Sequence, residues 1–471
     1  MARRFAGFGA RVTFATFVFT ALALAILSRP DKRLIDFDQS FYLTIAYDLD
    51  RHHVFSNGVF DDVDSTTAPP PPGMFFSPLY PWLLVGAMKV DPRFAAAVTC
   101  TIEANEKQRD LGTCEIYARP IHLLHALLLA LGVLAVARAG ELIIPDRRVF
   151  YGAGLLATLG LAAEAELFSY VMTESLWFSL YSLLMLAFLS GLRTAHTRAF
   201  VAAGALLGLL CLARASFLVL APTLLGVMVV HARWFSAARR RDWVRSAAAF
   251  TLAFLVLVVP WVVRNALVVG KFAFTEEYGS ATLVERFAFN DMSAREFAFA
   301  FPHCLPTIGP TIVGRLFGAD MRRFEWNEPG SFFDAGRARR MALVNTRGRL
   351  DPIIGELVSA EMARNWWRHL LTTVPLAWCG LWVSSLWSLF TIPLFAWACV
   401  AAVRRSRPLF LFYALPAVVL VGLHAAVANH YSRYNLGLIG PFSIGAAWMM
   451  VRALLASRRA QKSSADPVPH R

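Results

Sequence analysis

Asp36 and Asp38 stand in LIDFDQSFYLTIAYDL, a few residues beyond the first long apolar run of the chain. Glu164, Glu166 and Glu174 flank the break between two later runs, and Arg214 interrupts another. Arg264 closes the run that ends PWVVRN, and Arg433 opens the last run from NHYSRYN. Ionisable groups at the edge of hydrocarbon are costly to keep, so they are the first candidates for function. A carboxylate there takes a proton from an attacking hydroxyl or amine. Arginines hold a phosphate through charge-assisted, often bidentate hydrogen bonds and steady it as it leaves. Acids and arginines together therefore suit a transfer in which a phosphate is the leaving group, with no dedicated general acid. Direct attack of this kind inverts the reacting carbon.

The elements that must position these groups follow from composition. The chain is 57% hydrophobic and 17% charged, more apolar surface than the core of a soluble protein of this length hides. Apolar runs near bilayer-crossing length recur throughout, and in hydrocarbon they must be helices. The expected fold class is an all-α polytopic membrane protein of about ten spans: 12–28, 120–137, 149–163, 175–192, 199–213, 215–232, 246–263, 383–403, 409–428 and 434–451. The stretch 199–232 is too long for one crossing and is read as a hairpin turning at Arg214.

The net charge of +14 falls in short clusters between the runs, without aromatic interleaving, so no nucleic-acid partner is expected. Alternate connections carry Arg138, Arg147, Arg148, Arg193, Arg198, RWFSAARRRDWVR and RRSR, as cytoplasmic loops do. Both termini are then cytoplasmic, the N-terminal run is an uncleaved span, and the acids and arginines named above face outward. Segments 29–118 and 264–372 lie outside, and SPLYPWLLVGAMKV in the first reads as a surface helix. The domain reading is 1–263 as an N-terminal catalytic module including the outer loop 29–118, then 264–382 as an outer segment. Helices over 383–455 and a disordered tail over 456–471 complete it. Cys211, Cys379 and Cys399 sit in apolar runs as small hydrophobes, Cys100 and Cys114 share the outer loop as a disulfide candidate, and Cys304 is left over. His122 and His125 lack a clear third ligand and read as a hydrogen-bonded pair, so no metal site is assigned.

The motifs resemble those of a known group. DQSFYLTIA, from Asp38 to Ala46, looks like the DExxYxxIA segment of polyprenyl-phosphate-dependent sugar transferases with the GT-C fold. That group includes lipid A aminoarabinose transferase and protein O-mannosyltransferases. SPLYPWLL, VMTESLWFSL, GALLGLLCLARASFLVLAP, VVPWVVRNALVVGKFAFTEEYG and SRYNLGLIGPF resemble further family segments, in the same order. The resemblance implies a GT-C-type bundle with outer loops carrying surface helices. It puts Asp38 at the catalytic base and Glu174 at the second acidic position. Tyr42 lies one turn from Asp38, facing the same pocket, and Arg214, Arg264, Arg433 and Tyr434 fall at donor or phosphate positions. Three residues depart from the pattern. Ser77 replaces the lysine of the aminoarabinose branch, Ala215 a common proline, and Asn435 a basic residue.

The expected function is an inner-membrane glycosyltransferase that moves a sugar from a polyprenyl-phosphate donor to a glycan, lipid or protein acceptor at the periplasmic face. Displacement is expected to be metal-independent and inverting, with an aspartate base. No cofactor is expected, and the question of a divalent metal stays open. The alternative is a secondary transporter using the same carboxylates. Transporters place such charges near the midplane of repeated halves, whereas here they gather at one face. No Walker loop, dinucleotide fingerprint or zinc-protease signature is present.

Overall fold

Backbone groups in hydrocarbon find no water, so each apolar run must close its own hydrogen bonds. The computed structural model describes residues 2–58, 68–104, 112–326, 328–428 and 431–465, and among these every regular element is helical. After α1 (Ala2–Leu27), the chain makes an excursion with α2 (Gln39–His52), α3 (Leu79–Val90) and α4 (Pro92–Glu103). It then runs through α5 (Arg119–Ile143), α6 (Arg147–Ala163), α7 (Glu174–Thr194), α8 (Thr197–Ala213), α9 (Leu220–Trp234) and α10 (Arg240–Val268). A second excursion carries α11 (Tyr278–Arg286), α12 (Ala294–His303), α13 (Gly309–Phe317), α14 (Phe332–Arg347) and α15 (Ile354–Gly380). The chain closes with α16 (Leu386–Arg404), α17 (Pro408–Val427) and α18 (Ile439–Ala465).

The fold is that of an all-α, multi-pass membrane protein, but the expectation of about ten spans is corrected. Eight stretches among the described residues are long and apolar enough to cross: Phe8–Leu27, Arg119–Ile143, Glu174–Thr194, Ala215–Trp234, Arg240–Val268, Leu386–Arg404, Pro408–Val427 and Ser432–Arg458. The expected spans 149–163 and 199–213 lie on α6 and α8, each 17 residues. At 1.5 Å per residue such a helix is about 25 Å long, short of the roughly 30 Å hydrocarbon core. Each still reaches from one end of the bundle to the other. Arg11 on α1 lies over Phe150 near the start of α6, and Lys32 meets Glu166 just past its end, at 2.8 Å. Thr197 touches Ser246 at one end of α8, and Arg214 approaches Glu174 at the other.

The bundle thus has two chemically distinct ends. At one, Arg11 and Arg138 share Glu141, and Arg193 donates to the Leu142 carbonyl. At the other stand Asp38, Glu174, Arg214 and Arg433. Close helix packing holds these ends apart at fixed depth. A Cβ on Gly204 of α8 would come 2.1 Å from the Phe250 carbonyl oxygen of α10, so only glycine lets the two backbones meet there.

The second excursion, the least patterned part of the sequence, builds its own small core from Phe289, Met292, Phe324, Phe332 and Phe333 with Leu376 and Ala425. Arg286, fully buried, fastens it to the bundle. Its guanidinium donates to the Ala425 carbonyl of α17 at 2.7 Å and to Thr372 of α15 at 3.0 Å. A disulfide joins Cys100 to Cys114, and a second joins Cys304 to Cys379. The second corrects two readings, since Cys379 is no isolated hydrophobe and Cys304 is not left over. The last turn of α15 packs on α12 instead of lipid, which puts the two Cα atoms 5.1 Å apart. Helix α18 runs to Ala465, so 456–465 of the expected tail is helical, and 466–471 lie outside the described residues.

One buried side chain sets the approach to α2. Gln39 donates to the carbonyls of Arg33 and Asp36, both at 3.0 Å, and accepts from the Val171 amide at 2.8 Å. It ties the loop before α2 to the turn before α7. Replacing Gln39 with Leu leaves the buried Val171 amide without its acceptor, a loss of about 1–3 kcal/mol less any local relaxation, and two part-buried carbonyls without their donor. The expected result is a clear drop in thermal melting temperature in detergent, and Gln39→Glu is expected to lower it as well, because its carboxylate would face the two carbonyl oxygens.

Candidate functional site

Asp38 occupies the N-cap of α2, a position where an aspartate normally accepts an amide of the first turn. Asp91 and Asp146 do so at the heads of α4 and α6. Asp38 does not. Its carboxylate turns away from the helix, and Oδ2 receives Nη2 of Arg433 at 2.9 Å. The residue before it, Phe37, has φ +53, left-handed backbone that a bulky side chain adopts only at a cost of about 1–3 kcal/mol. Glu277 repeats this just before Tyr278, with φ +62. Both strained positions precede a residue of the same cavity wall.

Arg433 enters from the 3-10 turn Ser432–Leu438, at the head of the last span. Its other nitrogen, Nη1, lies 3.9 Å from Glu174 Oε1 and 3.5 Å from Met172 Sδ. Arg214 approaches the same Glu174 oxygen at 3.6 Å and stacks over the Tyr434 ring at 4.3 Å. Glu174, first residue of α7, is only 3% exposed, and its Oε2 has no hydrogen-bond partner. Two acids and two guanidiniums alternate: Asp38, Arg433, Glu174, Arg214. An anion entering here meets preorganised cations whose charge is already half spent on carboxylates.

A cavity of 370 Å³ opens beside this row. Asp38, Arg214, Tyr42, Tyr278, Tyr434 and His424 supply its polar wall, and Phe76, Leu218, Leu283 and Leu423 its apolar one. Burial first, then the nearby Asp38 charge, pushes the Tyr42 phenol well above its ordinary range, so it stays a proton-bearing donor. Tyr80 packs edge-on against Tyr42 at 5.3 Å, and its hydroxyl meets His125 Nε2 at 3.0 Å. His122 and His125 also hold the carbonyls of Ser169 and Phe168, so both rings brace the turn that carries Met172 and Glu174.

Ser77 and Ala215 also line the cavity. Asn435 donates from Nδ2 to the Gly380 carbonyl at 3.1 Å, which turns its Oδ1 toward His424 Nδ1 at 3.0 Å. The pairing fixes the proton on Nδ1 and leaves Nε2 of His424 an acceptor with no partner at the cavity wall. Ser216 Oγ is likewise unpartnered there.

Arg264 is not part of this group. It donates to the carbonyls of Gly73 and Phe55, lies over Trp261 at 5.0 Å, and lines a different groove with Trp82 and Lys89. Cys100 and Cys114 lie at the end of α4 and beyond it, outside the cavity lining. Tyr278, His424 and Gln39 were not singled out in the sequence. Tyr278 stands in the quoted EEYG stretch, and a polar residue inside an apolar run marks His424, but neither signal says which cavity wall the residue joins. Among the described residues Glu276, Glu277 and Asp351 lie close enough to share a metal. Glu276 is held by Lys271 and Arg349, and Asp351 receives the Glu277 amide and the Ser280 hydroxyl.

No family profile matches the chain, and no curated protein matches its sequence. Among solved structures, it is distantly similar to the crystal structure of ArnT from Cupriavidus metallidurans bound to undecaprenyl phosphate. The TM-score is 0.41 and the identity 15%, over 98% of this chain and 81% of that one.

Removing Arg214 leaves a buried Glu174 with one distant cation, a loss on the order of 3 kcal/mol for a broken low-dielectric pair. Arg214→Gln is therefore expected to lower the melting temperature, and adding Glu174→Gln to restore part of the loss. Additive losses in the double variant would show that the two side chains do not sense each other.

Proposed function

We propose that this chain is an integral-membrane glycosyltransferase of the GT-C type, moving a sugar from a polyprenyl-phosphate donor to an acceptor. One observation carries the reading. Asp38 heads α2 without capping it and faces Arg433, Glu174 and Arg214 beside a cavity at the end of an apolar bundle. That is where a donor with its tail in lipid and its phosphate at the boundary would present its reactive carbon. The ordered motif resemblance from DQSFYLTIA to SRYNLGLIGPF supports the same assignment. Arg-rich connections at the opposite end favour a cytoplasmic side there and a periplasmic active site, in a bacterial inner membrane. Residues 1–263 then form the catalytic module and 264–382 the outer segment that receives the acceptor.

In the proposed mechanism, donor phosphate takes Arg433 and Arg214, and Asp38 Oδ2 loses its present partner. The freed carboxylate accepts the proton of the acceptor hydroxyl or amine as that atom bonds to the anomeric carbon. The bond from this carbon to the phosphate oxygen breaks, and its electron pair leaves on polyprenyl phosphate between the two guanidiniums. Tyr42 donates to the donor's polar groups, and His424 Nε2 accepts from a sugar hydroxyl. Glu174 keeps both arginines aligned. The cations supply the charge that a metal would otherwise supply, so the reaction is proposed to be metal-independent and inverting. Arg264 would then act on the outer loop through the Phe55 and Gly73 carbonyls, outside the reacting group.

The test is sugar transfer in proteoliposomes from a synthetic polyprenyl-phosphate donor, followed by mass spectrometry of envelope lipids, glycans and proteins. Asp38→Asn is expected to lower turnover by at least about 100-fold, the scale of a lost general base, while donor still binds. Full turnover in that variant would overturn the assignment. A chelator is expected to leave the rate unchanged. Arg433→Gln is expected to weaken donor binding and slow turnover together, because the same guanidinium serves ground state and departing phosphate.

A further inference from the structure

At the Arg-rich end, on the far side of the bundle from Asp38, a second cavity of 590 Å³ opens among the last turns of three helices and the first turn of a fourth. Ile143 closes α5, Arg193 the end of α7, His231 lies on the last turn of α9 with Phe235 after it, and Arg407 and Leu409 begin α17. These turns belong to spans, so the cavity sits where acyl chains give way to headgroups. Ile143, Leu192, Phe235 and Leu409 supply apolar lining, and among the described residues no carboxylate lines it.

The cations there are unspent. Elsewhere at this end Arg11 and Arg138 are both neutralised by Glu141. Among the described residues neither Arg193 nor Arg407 forms an ion pair, and Arg193 makes one hydrogen bond, 3.0 Å to the Leu142 carbonyl. Both side chains are exposed. His231, another lining residue, is 7% exposed, and its buried Nδ1 has no partner among the described residues. Its ring packs against Trp243 at 5.3 Å and Phe412 at 5.8 Å.

Two guanidiniums outside any ion pair, one buried imidazole nitrogen without a partner, apolar side chains in the lining and a position at the membrane boundary describe a receptor for a phosphodiester whose tails remain in the bilayer. We propose that this cavity binds the headgroup of an anionic glycerophospholipid from the leaflet at the Arg-rich end. Arg193 and Arg407 clamp the phosphate, and a headgroup hydroxyl donates to His231 Nδ1. The site is independent of the transferase reading, because nothing in it touches the Asp38 cavity.

The experiment uses the full chain in nanodiscs of equal phosphatidylcholine and phosphatidylglycerol, with retained lipid counted by native mass spectrometry after stripping. Wild-type protein should keep phosphatidylglycerol in preference. The double variant Arg193→Gln, Arg407→Gln should lose that preference by about tenfold or more, the order contributed by two basic side chains at a membrane surface. Arg148→Gln, at the same end but outside the cavity, should not change it. Equal retention of both lipids by wild type, or a preference that survives the double variant, overturns the proposal. If the double variant does not fold, a photoreactive phosphatidylglycerol on wild-type protein decides. Labelling at the ends of α7, α9 and α17 supports the site, and labelling elsewhere overturns it. Loss of that labelling to excess soluble glycerol 1-phosphate identifies a free-phosphate site instead and overturns the lipid assignment.

Discussion

The contact on which one end of the bundle depends is the 2.9 Å pair between Asp38 and Arg433, residues separated by 395 positions. A carboxylate and a guanidinium at the edge of hydrocarbon each lose hydration, and neither is stable there alone. Their pairing draws the loop after the first span onto the head of the last one. The local sequence around each partner then serves that meeting. Gln39 sets the direction of α2, Met172 gives the second guanidinium nitrogen a soft neighbour, and Tyr434 places a ring between two arginines.

If Asp38 is the base that we propose, a pair so placed both stabilises the fold and holds the base back, because a carboxylate engaged by a cation is not available to a nucleophile. The alternation of charges resolves this. Glu174 stands between the arginines with one oxygen unpartnered, so Arg433 always has a second acid within 4 Å. In the proposed mechanism an arriving phosphate displaces Asp38 from Arg433 while Glu174 holds the arginine in register. Exchange of partners costs less than separation of charges, which is how an ion pair can serve as a resting state for an acid–base site.

Much of this was legible before the structure, and the gaps have physical causes. Hydropathy located each helix of the bundle, because burial in lipid demands apolar composition at every position. It did not separate a crossing helix from the 17-residue α6 and α8, whose ends are set by their partners more than by their own length. Arg264 and Arg433 look alike in sequence, both at the outer end of a span. Only the rotation of each helix about its axis decides that one meets loop carbonyls and the other Asp38, and composition carries no signal for that rotation. Cys379 was misread for a related reason. An apolar run implies burial, but burial against α12 and burial in lipid have the same composition. The Asp38 motif was the clearest signal because a charged residue at a span end has few inexpensive places to go.

The second excursion shows how a weakly patterned segment can still be firmly placed. Arg286 brings a full charge into a site with no exposure and satisfies it mainly with oxygens, from Ala425, Thr372, Thr373 and Asn290. Burial lowers its proton affinity, and the Glu361 carboxylate, reached through Asn290, offsets part of that. Such a hub is a poor source of net stability, because desolvation consumes most of the gain. It is a strong source of geometry, since only one placement of α11 satisfies every donor. Tyr278 and Thr282 line the Asp38 cavity from that same helix. The position of the cavity wall is therefore decided on the far side of α11, by a buried guanidinium that does not line the cavity itself.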